Sequence, residues 1–162
     1  MVSCVFPGSF DPVTVGHLDL ISRASALFDR VTVTVMHNVH KAGTISPEER
    51  TEMLRKITAG FPNVTVERWD GLLADYMHMK GERILVRGVR NSAEFEKEAL
   101  SAAANRMLNP EFETLFLCAE PSLAGVSSSA VREISAFGGD IGSFVPGMLK
   151  KEITDLLSNN NK

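Results

Sequence analysis

Four stretches of the chain gather glycine, hydroxyl and cationic residues in the way that anion chemistry requires. The first is Pro7-Gly8-Ser9-Phe10-Asp11-Pro12-Val13-Thr14-Val15-Gly16-His17. Its glycines let a ligand approach the backbone closely, and Ser9 brings a hydroxyl and an N–H. His17 stands at a predicted helix start, where free N–H groups and the macrodipole favour an anion. The second, Val126-Ser127-Ser128-Ser129-Ala130-Val131-Arg132, sets consecutive hydroxyls at another helix start, more than a cap needs. The third, Arg87-Gly88-Val89-Arg90-Asn91, offers two guanidinium forks suited to phosphate oxygens. Lys41 lies in the fourth, His37-Asn38-Val39-His40-Lys41-Ala42-Gly43, and alone carries no information. Plainer readings stand beside these: a helix-end histidine facing water, a helix cap, a solvated arginine pair. Neither a P-loop nor a GxGxxG fingerprint occurs, and there is no H-E-x-x-H or G-x-S-x-G. His37, His40 and His78 have no metal-ligand spacing and read as surface or rim residues.

Positioning these residues falls to short strands that alternate with helices. β-Branched runs at 2–6, 31–36, 64–67, 84–86 and 114–118 predict strands. Between the first two, Leu20, Ala24, Leu27 and Phe28 form one apolar helical stripe. Ser46-Pro47-Glu48-Glu49 reads as a capping box with proline at the first helical position, and Gly60 and Pro62 close that helix. Further helices are predicted over 72–79, from an Asn91 cap through Arg106, from about Ser127, and after Pro146. This order predicts an α/β fold, a Rossmann-like doubly wound parallel sheet with helices on both faces. Ligands in such sheets sit beyond the carboxyl ends of the strands, where strand order reverses. The five segments that follow predicted strands, Pro7–His17, His37–Ile45, Gly71–Leu73, Arg87–Asn91 and Cys118–Ser129, are therefore expected to converge there.

The bulk composition narrows the partners. A length of 162 residues predicts one domain spanning 1–162. Seventeen Lys and Arg against twenty Asp and Glu give a net charge of −3, so there is no general basic field for nucleic acid or an anionic membrane. No apolar run approaches the roughly 20 residues of a membrane span, and the N-terminal residues carry no secretory pattern. A cytoplasmic protein is expected. Cys4 and Cys118 are expected to be buried strand thiols.

Thr14-Val15-Gly16-His17 followed by Val126 to Arg132 resembles the paired T/H-x-G-H and S-S-S/T-x-x-R motifs of the nucleotidylyltransferase superfamily. Pro7-Gly8-Ser9-Phe10-Asp11-Pro12, Lys41, Pro47-Glu48-Glu49-Arg50, Arg87-Gly88-Val89-Arg90 and Phe95-Glu96 with Glu98 extend the likeness. In order and over most of the chain, the set is similar to the bacterial phosphopantetheine adenylyltransferases. The resemblance implies synthesis of dephospho-coenzyme A and pyrophosphate from ATP and 4′-phosphopantetheine, with Mg2+, in a homohexamer open to coenzyme A feedback. It implies that Ser9, Phe10 and His17 contact ATP, with Ser9 also at the acceptor phosphate. Lys41, Leu73 and Arg87 would hold phosphopantetheine. Gly88, Val89, Arg90, Glu98 and the run Leu123, Ala124, Gly125, Val126, Ser127, Ser128 and Ser129 would hold ATP. The chain departs from the family at Ser9, for the commoner threonine, and at Val89, for leucine. It departs again at Lys97, where an aromatic on the pantetheine side is usual, and at Leu123 to Gly125, where aromatics are frequent.

A phosphomonoester has a second pKa of about 6, so the attacking phosphate is already ionised at neutral pH and needs no general base. Positioning and aimed donors should then supply the catalysis. In this scheme His17 stabilises the transferring α-phosphoryl group, while Lys41 and Arg87 hold the incoming phosphate. Arg90 and Ser127 to Ser129 hold the departing pyrophosphate. The alternatives are another adenylyl- or cytidylyltransferase, such as one acting on nicotinamide mononucleotide, or a nucleotide-binding module without turnover.

Overall fold

A computed structural model describes residues 1–37 and 43–159. Five parallel strands, β1 (Ser3–Gly8), β2 (Arg30–Met36), β3 (Val64–Trp69), β4 (Ile84–Val89) and β5 (Glu113–Cys118), form one sheet in the order β3-β2-β1-β4-β5. The connecting helices are α1 (Val15–Leu27), α2 (Pro47–Thr58), α3 (Leu73–Lys80) and α4 (Ser92–Leu108), followed by α5 (Ser128–Ala136) and α6 (Lys150–Asn159). The doubly wound α/β expectation is met.

Alternation along the strands divides the core in two. Cys4 and Phe6 of β1 and Val86 of β4 pack with Ile21, Leu54, Val131 and Ile153, which belong to α1, α2, α5 and α6. Val5 and Leu85 point the other way, onto Ala74, Tyr76 and Met77 of α3 and onto Phe112. α4 also lies on this second side, yet buries none of its residues.

Several expectations shift. The strands outrun their β-branched cores because ladder pairing continues past them, with Gly8 opposite Val35 and Arg87 opposite Phe116. Gly8 and Arg87 to Val89 therefore lie on strands, not in loops. In α1 the buried residues are Leu20, Ile21 and Ala24, whereas Leu27, its last residue, is 65% exposed. Cys4 is buried as expected, but Cys118 ends the edge strand β5 and is exposed. The capping box of α2 is present, with Ser46 and Glu49 each receiving the other's backbone N–H.

Candidate active site

Strand order reverses between β1 and β4. Their ladder is confined to Val5 opposite Leu85, and beyond it a crevice of about 470 Å³ opens, ringed by Ser9, His17, Arg90, Glu94, Ser127 and Arg132 among others. A second cavity of about 350 Å³ adjoins it, walled by Met36, Leu73, Leu85, Ala102 and Thr114. Ser9, Arg87 and Glu98 line both. The site is therefore a polar chamber and a more apolar one meeting at a hydroxyl and an ion pair.

His17 enters the polar chamber from the first turn of α1. Thr14 caps that helix, and His17 is its third residue: the Thr14 hydroxyl accepts the His17 N–H at 3.3 Å while His17 Nδ1 accepts the Thr14 N–H at 3.0 Å. The Thr14 hydroxyl also lies 3.1 Å from Nδ1 and can donate to it. With Nδ1 accepting, the proton of the neutral ring resides on Nε2. Burial, and after it the charges of Arg90 and Arg87, push the imidazole pKa down to about 4, so the ring is a neutral N–H donor at physiological pH. Phe10 meets it edge-on, ring centroids 5.0 Å apart. Phe10 itself takes a left-handed backbone with φ 50°, and its ring fills the space beside Gly8, where a Cβ would come within 2.9 Å.

The cations are held in place by carboxylates. Arg87 binds Glu98 through both fork nitrogens at 2.8 and 2.9 Å and donates to the Pro7 carbonyl at 2.7 Å. Arg90 binds Glu94 at 2.7 Å and the Val126 carbonyl at 3.0 Å. Arg90 lowers the Glu94 pKa through its side-chain hydrogen bond, against the desolvation that raises it. Arg87 and Arg90 are thus each paired with a carboxylate of α4. The serine cluster is likewise engaged: Ser127 caps α5 through the Ala130 N–H, Ser128 donates to the Pro12 carbonyl, and Ser129 accepts from Arg132. Each serine thus has its own tether, and Ser127 and Ser129, which only accept in these bonds, keep their O–H donors beside the N-terminal turn of α5.

Among the described residues no group of three or more His, Cys, Asp or Glu side chains could hold a metal ion. Glu94 and Glu98, the carboxylates in the chamber walls, are both committed to arginines. These residues do not form a protein cage for magnesium.

Residues 5–134 match the cytidylyltransferase-like family. The phosphopantetheine adenylyltransferase of Deinococcus radiodurans is 48% identical over 147 residues, covering 90% of this chain and 87% of that protein. That of Rubrobacter xylanophilus is 45% identical over 154 residues, covering 95% and 94%. The chain belongs to the phosphopantetheine adenylyltransferase family. It is a nucleotidyltransferase. A solved structure of a candidate nicotinate-nucleotide adenylyltransferase from Vibrio parahaemolyticus shares the fold, with a TM-score of 0.65, 17% identity and coverage of 99% of this chain and 94% of that one.

For a phosphopantetheine adenylyltransferase, the residues expected from sequence fall out unevenly. Ser9, Phe10, His17, Gly88, Arg90, Glu98, Leu123, Val126, Ser127, Ser128 and Ser129 line the polar chamber, and Leu73 lines the apolar one, which shares Ser9, Arg87 and Glu98. Val89 is buried in β4, and Ala124 and Gly125 are exposed and line neither. Lys97 lines the polar chamber and not the apolar one. Lys41, with His40, lies outside the described residues. His37 sits against Asp70 at 3.2 Å and His78 against Glu111 at 3.4 Å, both off the site. Sequence reasoning missed Thr14 and Glu94 as partners of His17 and Arg90. Both had a signal, since Thr14 stands three residues before His17, as an N-cap would, and Glu94 lies four after Arg90.

Proposed function

We propose that this nucleotidyltransferase transfers the adenylyl group of ATP to 4′-phosphopantetheine, giving dephospho-coenzyme A and pyrophosphate in coenzyme A biosynthesis. The acceptor phosphate attacks the α-phosphorus directly and in line, and no covalent enzyme intermediate forms. The observation that carries this reading is the meeting of two chambers, one polar and one more apolar, at Ser9 and the Arg87–Glu98 pair. A triphosphate fits the first, and a phosphate on a flexible, partly apolar arm fits the second.

In this scheme Ser9 and Arg87 receive the acceptor phosphate together with Lys41, and Leu73 contacts the arm. His17 donates Nε2–H to the transferring phosphoryl group. Its depressed pKa supports donation rather than proton abstraction, since the acceptor is already ionised at neutral pH. Arg90 and the N-terminal turn of α5 take the departing β and γ phosphates, in keeping with anion affinity at helix starts. The remaining ATP contacts fall to Phe10 through its backbone, Gly88, Glu98, Leu123, Val126 and the three serines, all of which line the polar chamber. The proposed cofactor, magnesium, would be held by the substrate phosphates rather than by these side chains and would supply charge neutralisation there. Coenzyme A, which carries the same pantetheine arm, is the proposed feedback ligand. A single-domain subunit, a homohexamer and a cytoplasmic location complete the proposal. Among the described residues no helix is long and apolar enough to cross a membrane.

The deciding assay supplies ATP and magnesium with either 4′-phosphopantetheine or nicotinamide mononucleotide and follows pyrophosphate. Release dependent on 4′-phosphopantetheine is expected. Release with the mononucleotide alone would make the chain a different adenylyltransferase, and none with either would leave a binding module.

A further inference from the structure

Two charged side chains that line neither chamber are buried where the first loop meets the segment leading into α2. Asp11 is 8% exposed and Arg50 is 3% exposed. The Asp11 carboxylate accepts the Thr44 N–H on one oxygen and the Ile45 N–H on the other, each at 2.8 Å. Arg50, in the first turn of α2, donates to the Ser9 carbonyl at 2.7 Å and to the Ser46 carbonyl at 3.4 Å. Gly43 lies beside both: a Cβ built there would sit 3.2 Å from Arg50 Nη2 and 3.4 Å from Asp11 Oδ2. The tether therefore runs both ways, from loop to segment through Asp11 and from α2 to loop through Arg50.

Burying charges is costly, and well-packed apolar side chains often stabilise a fold as much or more. What this pair adds is directional attachment of one backbone segment to another. One of those segments carries Ser9, and the other begins two positions after Lys41. We propose that Asp11 and Arg50 are positioning residues that fix the Ser9 loop against the 43–46 segment leading into α2, and so hold Ser9 in register for the acceptor phosphate. This inference rests on the acceptor role proposed for Ser9.

The test compares the full-length wild type with Asp11→Asn, Arg50→Lys, Arg50→Met and Gly43→Ala. It measures steady-state kinetics in each substrate, ATP binding without acceptor by calorimetry, and Tm. Misplacement on the ångström scale predicts that KM for 4′-phosphopantetheine rises about tenfold and kcat falls by up to about a hundredfold in Arg50→Met, with ATP affinity within about threefold. Arg50→Lys, which keeps the charge and a donor, should fall between. Gly43→Ala crowds the pair without deleting a bond, so it tests the idea even where a charge variant fails to fold. ATP and acceptor constants moving together, or a lowered Tm with unchanged constants, would overturn the proposal. Failure of the wild type to turn over 4′-phosphopantetheine would overturn the functional reading and this inference with it. An active wild type with kinetically unchanged variants would overturn this inference alone.

Discussion

His17 is a hydrogen-bond donor fixed in one tautomer and kept uncharged well below the usual imidazole range. Thr14 makes this possible by occupying Nδ1, which leaves the proton on Nε2, while burial and the neighbouring arginines keep the ring from gaining a second proton until about pH 4. A donor of this kind acts where charge develops. His17→Ala should therefore lower kcat by about 10²–10³-fold, the range for losing one aimed donor. Calorimetric ATP affinity should change little, and an equal loss of ATP binding with turnover intact would remove the role. The pKa carries a stability consequence as well. The unfolded imidazole titrates near its ordinary value of 6.5 and the folded one near 4, so the unfolded state binds more protons between these values. The contribution of His17 is fully present above pH 6.5 and is lost as pH falls toward 4. Denaturant melts across that window should show a shallower decline in His17→Gln than in wild type. The acid limb of the rate at about pH 6 should survive in that variant, because it belongs to the acceptor's phosphate.

At the scale of elements, the glycine following Arg87 shows how closely the sheet carries α1. A Cβ on Gly88 would lie 2.3 Å from Leu20 Cδ1, and Leu20 is one turn beyond His17. Gly88→Ala should destabilise the fold by about 1–3 kcal/mol, the usual cost of overpacking, and should lower kcat by displacing the first turn of α1. Trimming Leu20 in the same chain, as Gly88→Ala with Leu20→Ala, should restore part of both. No recovery in denaturant midpoint or rate would show that the contact is not the cause. Gly88 stands among the ATP-contact residues in the sequence reading, and its packing role was invisible there because it depends on a residue 68 positions away. What could be read from sequence was local: β-branched runs, the Ser46-Pro47 start of α2, the Asn91 cap of α4 and the turn chemistry around His17. What could not be read was long-range. The ladder that carries Gly8 and Arg87 onto strands comes from neighbouring strands, and the burial of Asp11 and Arg50 comes from a loop closing on a helix. A lone arginine near a helix start has the same sequence signature whether it is solvated or buried.

Across the whole molecule, the two sides of the sheet are covered unequally, and the difference points to assembly. Helices α1, α2, α5 and α6 close one side over a continuous core. On the other side α4 buries nothing, and Leu100 and Met107 are 75% and 88% exposed, with Phe95, Leu108, Leu72 and Met79 also open. Monomers rarely leave several large apolar side chains together in water, and such patches mark contact surfaces. The homohexamer proposed above would cover them. α4 also supplies Glu94 and Glu98, which hold Arg90 and Arg87 in the site, so a subunit contact on its outer face would brace the carboxylates on its inner one. Leu100→Glu with Met107→Glu should therefore shift sedimentation velocity from the hexamer to smaller species and lower kcat about tenfold, as loosened alignment does. A wild type that sediments as a monomer would refute the assembly. Variants that dissociate yet keep full activity would refute the bracing of Arg87 and Arg90 through α4 and leave the interface purely architectural.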